Sequence, residues 1–315
     1  MPSSPAFVLV PGAWHRATCY DRVRDILKAK HDIESFAVTL PSTCGDPNAT
    51  LKDDIDATRA IITDQLSKGR DVVVVAHSYG GVVGNSSIKG LTRPKSGGHR
   101  EPDSEVRDQG HVIGLVLLTT GFIFTGLAMM DPFCGLPMPF FRKNTNTGFA
   151  ELRGSPIHHF YHDLPRDEAN AAVGQLMPHS LKSLYEGGEH AYAGWQDVPV
   201  WYIAATRDQV LPIAAQRLGV GLARGQGGDV TVREIESSHS PFLSRPEEFT
   251  GILVAAAAEF GRSGVDVEHS RRRREAQLVG LWPQRWLRAG LFMGTGEMIG
   301  RVIAGVVWLR RLWRS

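Results

Sequence analysis

Runs of consecutive apolar residues alternate with segments of helical periodicity along the chain. Phe7–Val10 is such a run, ended by Pro11 and Gly12, and it is typical of a parallel strand covered on both faces. Similar runs predict further strands at Ile33–Leu40, Val72–Ala76, Val112–Thr119, Val198–Ala205 and Asp229–Ile235. Between them, apolar residues three or four apart predict helices at Cys19–Lys30, Leu51–Ser67, Val82–Gly90 and Pro246–Phe260. This alternation implies right-handed crossovers and therefore an α/β fold, a doubly wound and mostly parallel sheet.

Residues 121–196 break this alternation. They are rich in Pro, Phe, Met and His and contain no apolar strand run, while helical patterns occur near Arg166–Met177 and Ser180–Glu186. We interpret this stretch as an inserted helical cap. The predicted organisation is one domain over residues 1–261, with the cap at about 121–196, and a C-terminal extension over residues 262–315.

The strand Val72–Ala76 runs directly into a turn of small residues around Ser78. The segment Ala76–Gly81 (AHSYGG) follows the nucleophile-elbow pattern G-x-S-x-G, with Ala76 at the first glycine position, and a predicted helix comes next. Small residues are needed there because the serine backbone is strained and the strand and helix approach closely. The turn would lift the hydroxyl above the sheet at a helix N-terminus, which favours developing negative charge.

Two loops that follow later strands supply the partners such a serine needs. Asp208 follows the strand Val198–Ala205, and His239 follows the strand Asp229–Ile235, so the order is Ser, Asp, His. We predict His239 as the base that activates Ser78, and Asp208 as the group that orients the imidazole. The oxyanion hole is predicted to use the backbone N–H groups of Ala13 and Tyr79.

These segments together resemble the α/β-hydrolase superfamily, namely Phe7–His15 (FVLVPGAWH), Val72–Gly81 (VVVVAHSYGG), Thr206–Pro212 (TRDQVLP) and Ser237–Phe242 (SSHSPF). The resemblance covers roughly residues 5–261. Within the superfamily, the chain looks like the branch that holds plant methylesterases, plant hydroxynitrile lyases and many small fungal hydrolases. Cap segments Phe160–Pro165 and Gly187–Trp195 are similar to the fungal group, whose members often accompany secondary metabolism. The resemblance implies a serine hydrolase with no cofactor.

The most favoured function is hydrolysis of a small apolar or aromatic carboxylic ester through an acyl-enzyme on Ser78. Hydroxynitrile lyases of this branch carry a threonine after the first strand and a lysine after the catalytic histidine, where this chain has Gly12 and Ser240. Because the lysine cation that would stabilise departing cyanide is missing, the sequence argues against a hydroxynitrile lyase. A different lyase or a cyclase that uses His239 as a base stays open. A non-catalytic binding protein of the same fold is the remaining alternative.

Candidate pocket residues come from the oxyanion loop and the cap: Gly12, Trp14, His15, Phe122, Met129, Tyr192 and Trp195. We predict no metal site, because the three cysteines lack C-x-x-C spacing and the cap histidines lack a pattern of carboxylate partners. The acidic run Asp53, Asp54 and Asp56 is interpreted as the solvated first turn of a helix.

The net charge of +2 argues against a nucleic-acid partner, but it combines two unlike parts. Residues 1–261 carry −5, whereas residues 262–315 carry +7 and four of the seven tryptophans. Three interpretations of this extension stay open: peripheral membrane contact through 271–315, a weak tail anchor, or a loosely docked or disordered tail. Low cysteine content and the lack of a targeting signal favour a cytoplasmic location. The sequence makes no prediction of oligomeric state.

Overall fold

The structure, a computed structural model, describes residues 4–93, 109–262, 293 and 295–297. Most of the predicted loop at Thr92–His111 and nearly all of the 271–315 segment lie outside these described residues. Among the helices that are described, none is long and apolar enough to cross a membrane.

One parallel sheet has the strand order β2-β1-β3-β4-β8-β9. Its strands are β1 (Ala6–Val10), β2 (Ser35–Ala37), β3 (Val72–His77), β4 (Val112–Leu118), β8 (Val200–Ala205) and β9 (Val230–Ile235).

Helices cover both faces of this sheet, as the continuous apolar strands require. In β1, Phe7 and Leu9 belong to one buried cluster, and Val8 and Val10 belong to the other. The first cluster is covered by α1 (Asp21–His31), α8 (Pro241–Ser244) and α9 (Pro246–Arg262). The second is covered by α2 (Leu51–Ser67), α3 (Gly80–Ser87) and α7 (Ile213–Gly225). Helix α7 is not among the predicted elements, because its glycines weaken the helical signal.

Helix α2 has the predicted bounds, but its first turn is only partly solvated. Asp53 caps the helix by accepting a hydrogen bond from the Thr50 backbone N–H at 2.8 Å. Asp54, in contrast, is fully buried, which corrects the prediction of a solvated acidic turn. It lies four residues before buried Thr58, on the face of α2 that packs inward.

The cap contains helices, as predicted, and it also contains strands that the sequence did not indicate. Its three short helices accompany a three-stranded antiparallel sheet in the order β5-β6-β7. Strands of two to four residues are too short to show an alternating pattern in the sequence. The elements are β5 (Phe141–Asn144), β6 (Phe149–Leu152), α4 (Pro156–Phe160), α5 (Arg166–Gly174), β7 (His179–Ser180) and α6 (Leu181–Tyr185).

The strand order reverses between β1 and β3. The chain leaves β1 toward the edge strand β2 and returns to place β3 on the other side of β1, with Val10 paired to Ala76. The loops that follow β1 and β3 therefore face each other across a crevice at the carboxyl ends of the strands. Open parallel sheets bind their ligands at such a switch point.

The described residues of the C-terminal extension pack against α7. Met293 is partly buried and packs against the buried cluster on that side of the sheet, and residues 295–297 are helical. The two backbones approach so closely that a Cβ added at Gly221 would lie 2.1 Å from the Met293 carbonyl oxygen. A Cβ added at Gly296 would lie 2.4 Å from the Leu218 carbonyl oxygen.

Candidate active site

Ser78 stands in a strained turn between β3 and α3. Its φ is +50°, a conformation that costs free energy unless the surroundings fix it. Three hydrogen bonds do so: the Ser78 N–H donates to the Leu118 carbonyl at 3.0 Å, while the Gly81 N–H at 2.8 Å and the Thr120 hydroxyl at 2.7 Å donate to the Ser78 carbonyl. The backbone conformation expected of a nucleophile elbow is therefore present.

The small residues of the turn are required by contacts on both sides. A Cβ at Gly80 would lie 2.5 Å from the Pro11 carbonyl oxygen, in the loop after β1. A Cβ at Gly81 would lie 2.1 Å from the Thr120 hydroxyl oxygen. Larger side chains would push the elbow away from its neighbours, so the sequence pattern has the steric origin inferred from it.

Asp208 and His239 form a buried pair across the loops after β8 and β9. The His239 Nδ1 lies 2.8 Å from the Asp208 Oδ2, and since a carboxylate only accepts, Nδ1 carries the proton. The second oxygen of Asp208 accepts from the backbone N–H groups of Val210 at 2.7 Å and Leu211 at 3.0 Å. In the neutral imidazole, the His239 Nε2 is therefore the unprotonated nitrogen.

Ser78 and His239 line the same cavity, which has a volume of about 190 Å³. Its polar lining residues are Ser78, Thr119, Thr120 and His239, together with the backbone of the adjoining loops. No Lys, Arg, Asp or Glu of the described chain lines it. The remaining wall is aliphatic and aromatic and comes largely from the cap, including Phe124, Leu127, Met130, Phe133, Met138, Phe140, Phe141 and Leu184.

Five of the predicted site residues also line this cavity. Ala13 and Tyr79, the predicted oxyanion donors, follow the neighbouring strands β1 and β3 and lie beside Ser78. Trp14, Phe122 and Met129 form part of the apolar wall. Trp14 has a φ of +63°, and its indole N–H donates to the Ala150 carbonyl in the cap at 2.8 Å.

Four predicted pocket residues do not line the cavity. Gly12 lies beneath it, where a Cβ would be 2.7 Å from the His77 Nδ1. Tyr192 instead donates its hydroxyl hydrogen to Asp197 at 2.7 Å. Trp195 is fully buried behind Phe122, with its indole N–H on the Ile123 carbonyl. His15 is the fourth, and it lies on the far side of the oxyanion loop.

His15 does not line the cavity but forms hydrogen bonds that connect the oxyanion loop to the cap. Its Nδ1 donates to the Ala13 carbonyl at 2.8 Å, and its Nε2 accepts from the Tyr161 hydroxyl at 2.9 Å. Burial lowers the pKa of His15 to about 4, so the ring is neutral near pH 7. The neutral form is the one that can both donate to a carbonyl and accept from a hydroxyl.

Two more buried histidines surround the predicted nucleophile and base. His77 donates from Nε2 to the His239 carbonyl at 3.0 Å, and burial keeps its pKa well below the ordinary value. His179 contacts the rings of Trp14 and Tyr79, and burial lowers its pKa to about 3. In the described part of the chain, no group of three His, Cys, Asp or Glu side chains is arranged to hold a metal ion.

The sequence did not single out several residues that support the site. Thr120 follows β4 directly and fixes the Ser78 carbonyl, and Gln216 of α7 reaches the Asp208 loop by donating to the Leu211 carbonyl at 2.7 Å. Asp54 accepts the Tyr79 hydroxyl hydrogen at 2.6 Å. The helical face that Asp54 shares with Thr58 was an available signal, whereas the other two contacts arise only in the folded chain.

Comparison with known proteins agrees with this architecture. Residues 7–252 match the alpha/beta hydrolase family. The chain is 26% identical over 259 residues to the alpha/beta hydrolase nvfD of Aspergillus novofumigatus, covering 81% of this chain and 97% of that protein. A pyrethroid hydrolase from Sphingobium faniae is similar in structure, with a TM-score of 0.59, 21% identity and coverage of 81% and 98% of the two chains. An Arabidopsis methylesterase has a TM-score of 0.55, 19% identity and coverage of 81% and 99%. The chain therefore belongs to the alpha/beta hydrolase family.

Proposed function

We propose that this protein is a serine hydrolase that cleaves an uncharged carboxylic ester with small apolar or aromatic substituents. The observation that carries the proposal is the hydrogen-bonded pair of Asp208 and His239, which shares one cavity with the strained Ser78. The pair leaves the His239 Nε2 unprotonated and therefore able to accept a proton. A serine hydroxyl becomes a good nucleophile only when such a base removes its proton.

The reaction proceeds in two halves. The Ser78 Oγ bonds to the ester carbonyl carbon while its proton passes to the His239 Nε2, and the carbonyl electron pair moves onto oxygen. The N–H groups of Ala13 and Tyr79 donate to that oxyanion. When the tetrahedral intermediate collapses, the bond to the alcohol oxygen breaks, and the alcohol leaves with the proton from His239.

Water completes the second half. It loses a proton to His239 as its oxygen bonds to the acyl carbon, and the Ser78 oxygen then leaves and recovers that proton. One water is consumed, and one acid and one alcohol are released. The pair with Asp208 stabilises the imidazolium that forms in each half.

The cavity wall supports a neutral, apolar substrate. Because no charged side chain of the described residues lines the cavity, a charged acyl or alcohol group would lose its hydration without a partner. An apolar wall with a few convergent polar groups is typical of small-molecule sites. Two structurally similar proteins are described as a pyrethroid hydrolase and a methylesterase, which is in keeping with an ester substrate.

Hydrolysis of p-nitrophenyl acetate and butyrate by the full-length protein tests the proposal. We expect turnover in the wild type, its loss in Ser78→Ala, and covalent labelling of Ser78 by a fluorophosphonate. The matched control is Ser87→Ala, which removes a buried serine hydroxyl outside the cavity. Labelling without turnover of any ester would indicate a lyase, a cyclase or a binding protein, and the absence of labelling would refute the mechanism.

A further inference from the structure

A carboxyl group is buried behind the predicted oxyanion hole. Asp54, on the first turn of α2, has no solvent exposure, and burial raises the pKa of its carboxyl to about 6. One oxygen accepts from the Ser42 backbone N–H at 2.9 Å, and the other accepts from the Tyr79 hydroxyl at 2.6 Å. Burial of a carboxyl is unfavourable, so the contacts it makes call for an explanation beyond packing.

Tyr79 joins this carboxyl to the nucleophile. It follows Ser78 in the chain, and its N–H is the predicted donor that points to the developing oxyanion. Its ring is fully buried and meets the His179 ring edge-on, with 4.7 Å between the ring centroids. With the hydroxyl held by Asp54, the side chain is fixed at both its ring and its tip. A fixed side chain limits how far its own peptide can rotate.

We infer that Asp54 is a positioning residue that holds the Tyr79 backbone N–H in place for the oxyanion. The inference rests on the proposed function, because it presumes an acyl transfer on Ser78. Oxyanion-hole donors act through geometry, since the N–H must already point to where the charge develops. A hydrogen bond at the far end of the same residue is a direct means of setting that geometry. Asp54 itself does not line the cavity and touches no reacting atom.

The predicted signature is a loss in kcat with little change in KM. Tyr79→Phe keeps the ring and removes the hydroxyl, so the ester should bind as before while the transition state is stabilised less well. Complete loss of one oxyanion donor costs about 100-fold to 1,000-fold in kcat, so a misaligned donor should cost about tenfold. Asp54→Ala should match Tyr79→Phe, whereas Asp54→Asn can still bond both neighbours and should retain most of the rate.

Inhibitor binding separates positioning from general damage. An alkyl trifluoromethyl ketone adds the Ser78 oxygen and places an oxyanion in the hole, whereas the matching methyl ketone binds without that addition. Tyr79→Phe should weaken the trifluoromethyl ketone about tenfold and leave the methyl ketone unchanged. Tyr192→Phe is the matched control, because it removes a hydroxyl from a similar Tyr–Asp hydrogen bond outside the cavity. Thermal denaturation establishes that each variant is folded at the assay temperature.

The outcomes are distinct from those that test the hydrolase itself. If the wild type hydrolyses esters through Ser78 and Tyr79→Phe keeps both kcat and trifluoromethyl ketone affinity, the positioning role is wrong and the proposed function stands. Equal losses for both ketones would likewise overturn it, since they indicate a distorted cavity. If the wild type shows no Ser78-dependent turnover, the proposed function and this inference fail together.

Discussion

Acidification should destabilise this protein through three buried histidines. Burial lowers the pKa values of His15 to about 4 and of His179 to about 3, and it holds that of His77 well below the ordinary value. In the unfolded chain each histidine takes up a proton near pH 6.5. The stability that comes from keeping these rings neutral is therefore present above about pH 6.5, and it is lost progressively as the pH falls toward their folded-state values.

The size of the effect follows from proton linkage. At pH 5 the unfolded chain gains about 2 kcal/mol for each histidine that the folded chain leaves neutral, so His15 and His179 together account for about 4 kcal/mol, and His77 acts in the same direction. Asp54 acts in the opposite direction, because its raised pKa of about 6 lets the folded state hold a proton that the unfolded state has released at pH 5. Protonation of Asp54 in the folded state therefore adds about 1.5 kcal/mol to the free energy of unfolding between pH 8 and pH 5. From His15, His179 and Asp54 alone the net loss is about 2 to 3 kcal/mol, a substantial share of the typical total of 5 to 15 kcal/mol.

Urea unfolding at a series of pH values, followed by tryptophan fluorescence, measures this loss. The free energy of unfolding should fall steadily from pH 7 to pH 5. In His179→Gln the fall should shrink by about 2 kcal/mol, because one ring no longer takes up a proton on unfolding. His31→Gln is the control, since His31 is exposed at the end of α1. If the free energy of unfolding changes by less than about 1 kcal/mol over this pH range, the prediction that these buried histidines stay neutral in the folded protein is wrong.

Three further predictions concern packing and selectivity. Gly114→Ala places a Cβ 2.3 Å from the Phe260 ring, so the free energy of unfolding in urea should fall by about 1 to 3 kcal/mol; an unchanged value would contradict the packing of α9 on β4. Phe122→Ala enlarges the cavity and should raise kcat/KM for butyrate relative to acetate about tenfold, and an unchanged ratio would remove Phe122 from the acyl-binding wall. Gly221→Val should lower the thermal midpoint of the full chain, but not that of a chain ending at residue 262, if the C-terminal segment docks on α7. Equal losses in both chains would exclude that docking.

The positions of Ser78, Asp208 and His239 were more predictable from the sequence than their surroundings were. Ser78, Asp208 and His239 each lie in the loop after an apolar strand run. An apolar run that ends in turn residues predicts both the strand and the loop at its carboxyl end. Parallel strands bring their carboxyl ends to one edge of the sheet. The strand pattern alone therefore predicts that these three residues lie near one another, although they are distant in sequence. The structure brings Asp208 onto His239 and puts Ser78 and His239 on one cavity.

The wall of the cavity could not be predicted in the same way. Phe122 and Trp195 are both aromatic residues of the cap, yet one faces the cavity and the other lies behind it. Composition does not distinguish them, because the side of an aromatic ring that meets a ligand depends on how the segments pack. The burial of Asp54 has the same origin: the periodicity of α2 identifies its face, but only the fold supplies Ser42 and Tyr79 as partners.

We expect the cap to contribute to catalysis as well as to selectivity. The loop that carries Ala13 is held from the cap by the Trp14 indole on the Ala150 carbonyl, by the Tyr161 hydroxyl on His15, and by the Met177 N–H on the Trp14 carbonyl. Another part of the cap, mainly residues 122–141, supplies most of the apolar wall. A change in the cap that admits a new substrate can therefore also shift the oxyanion loop, and small displacements of such donors are costly. We therefore expect substrate range and rate to be coupled in this protein, so that cap replacements change kcat even for esters that still fit.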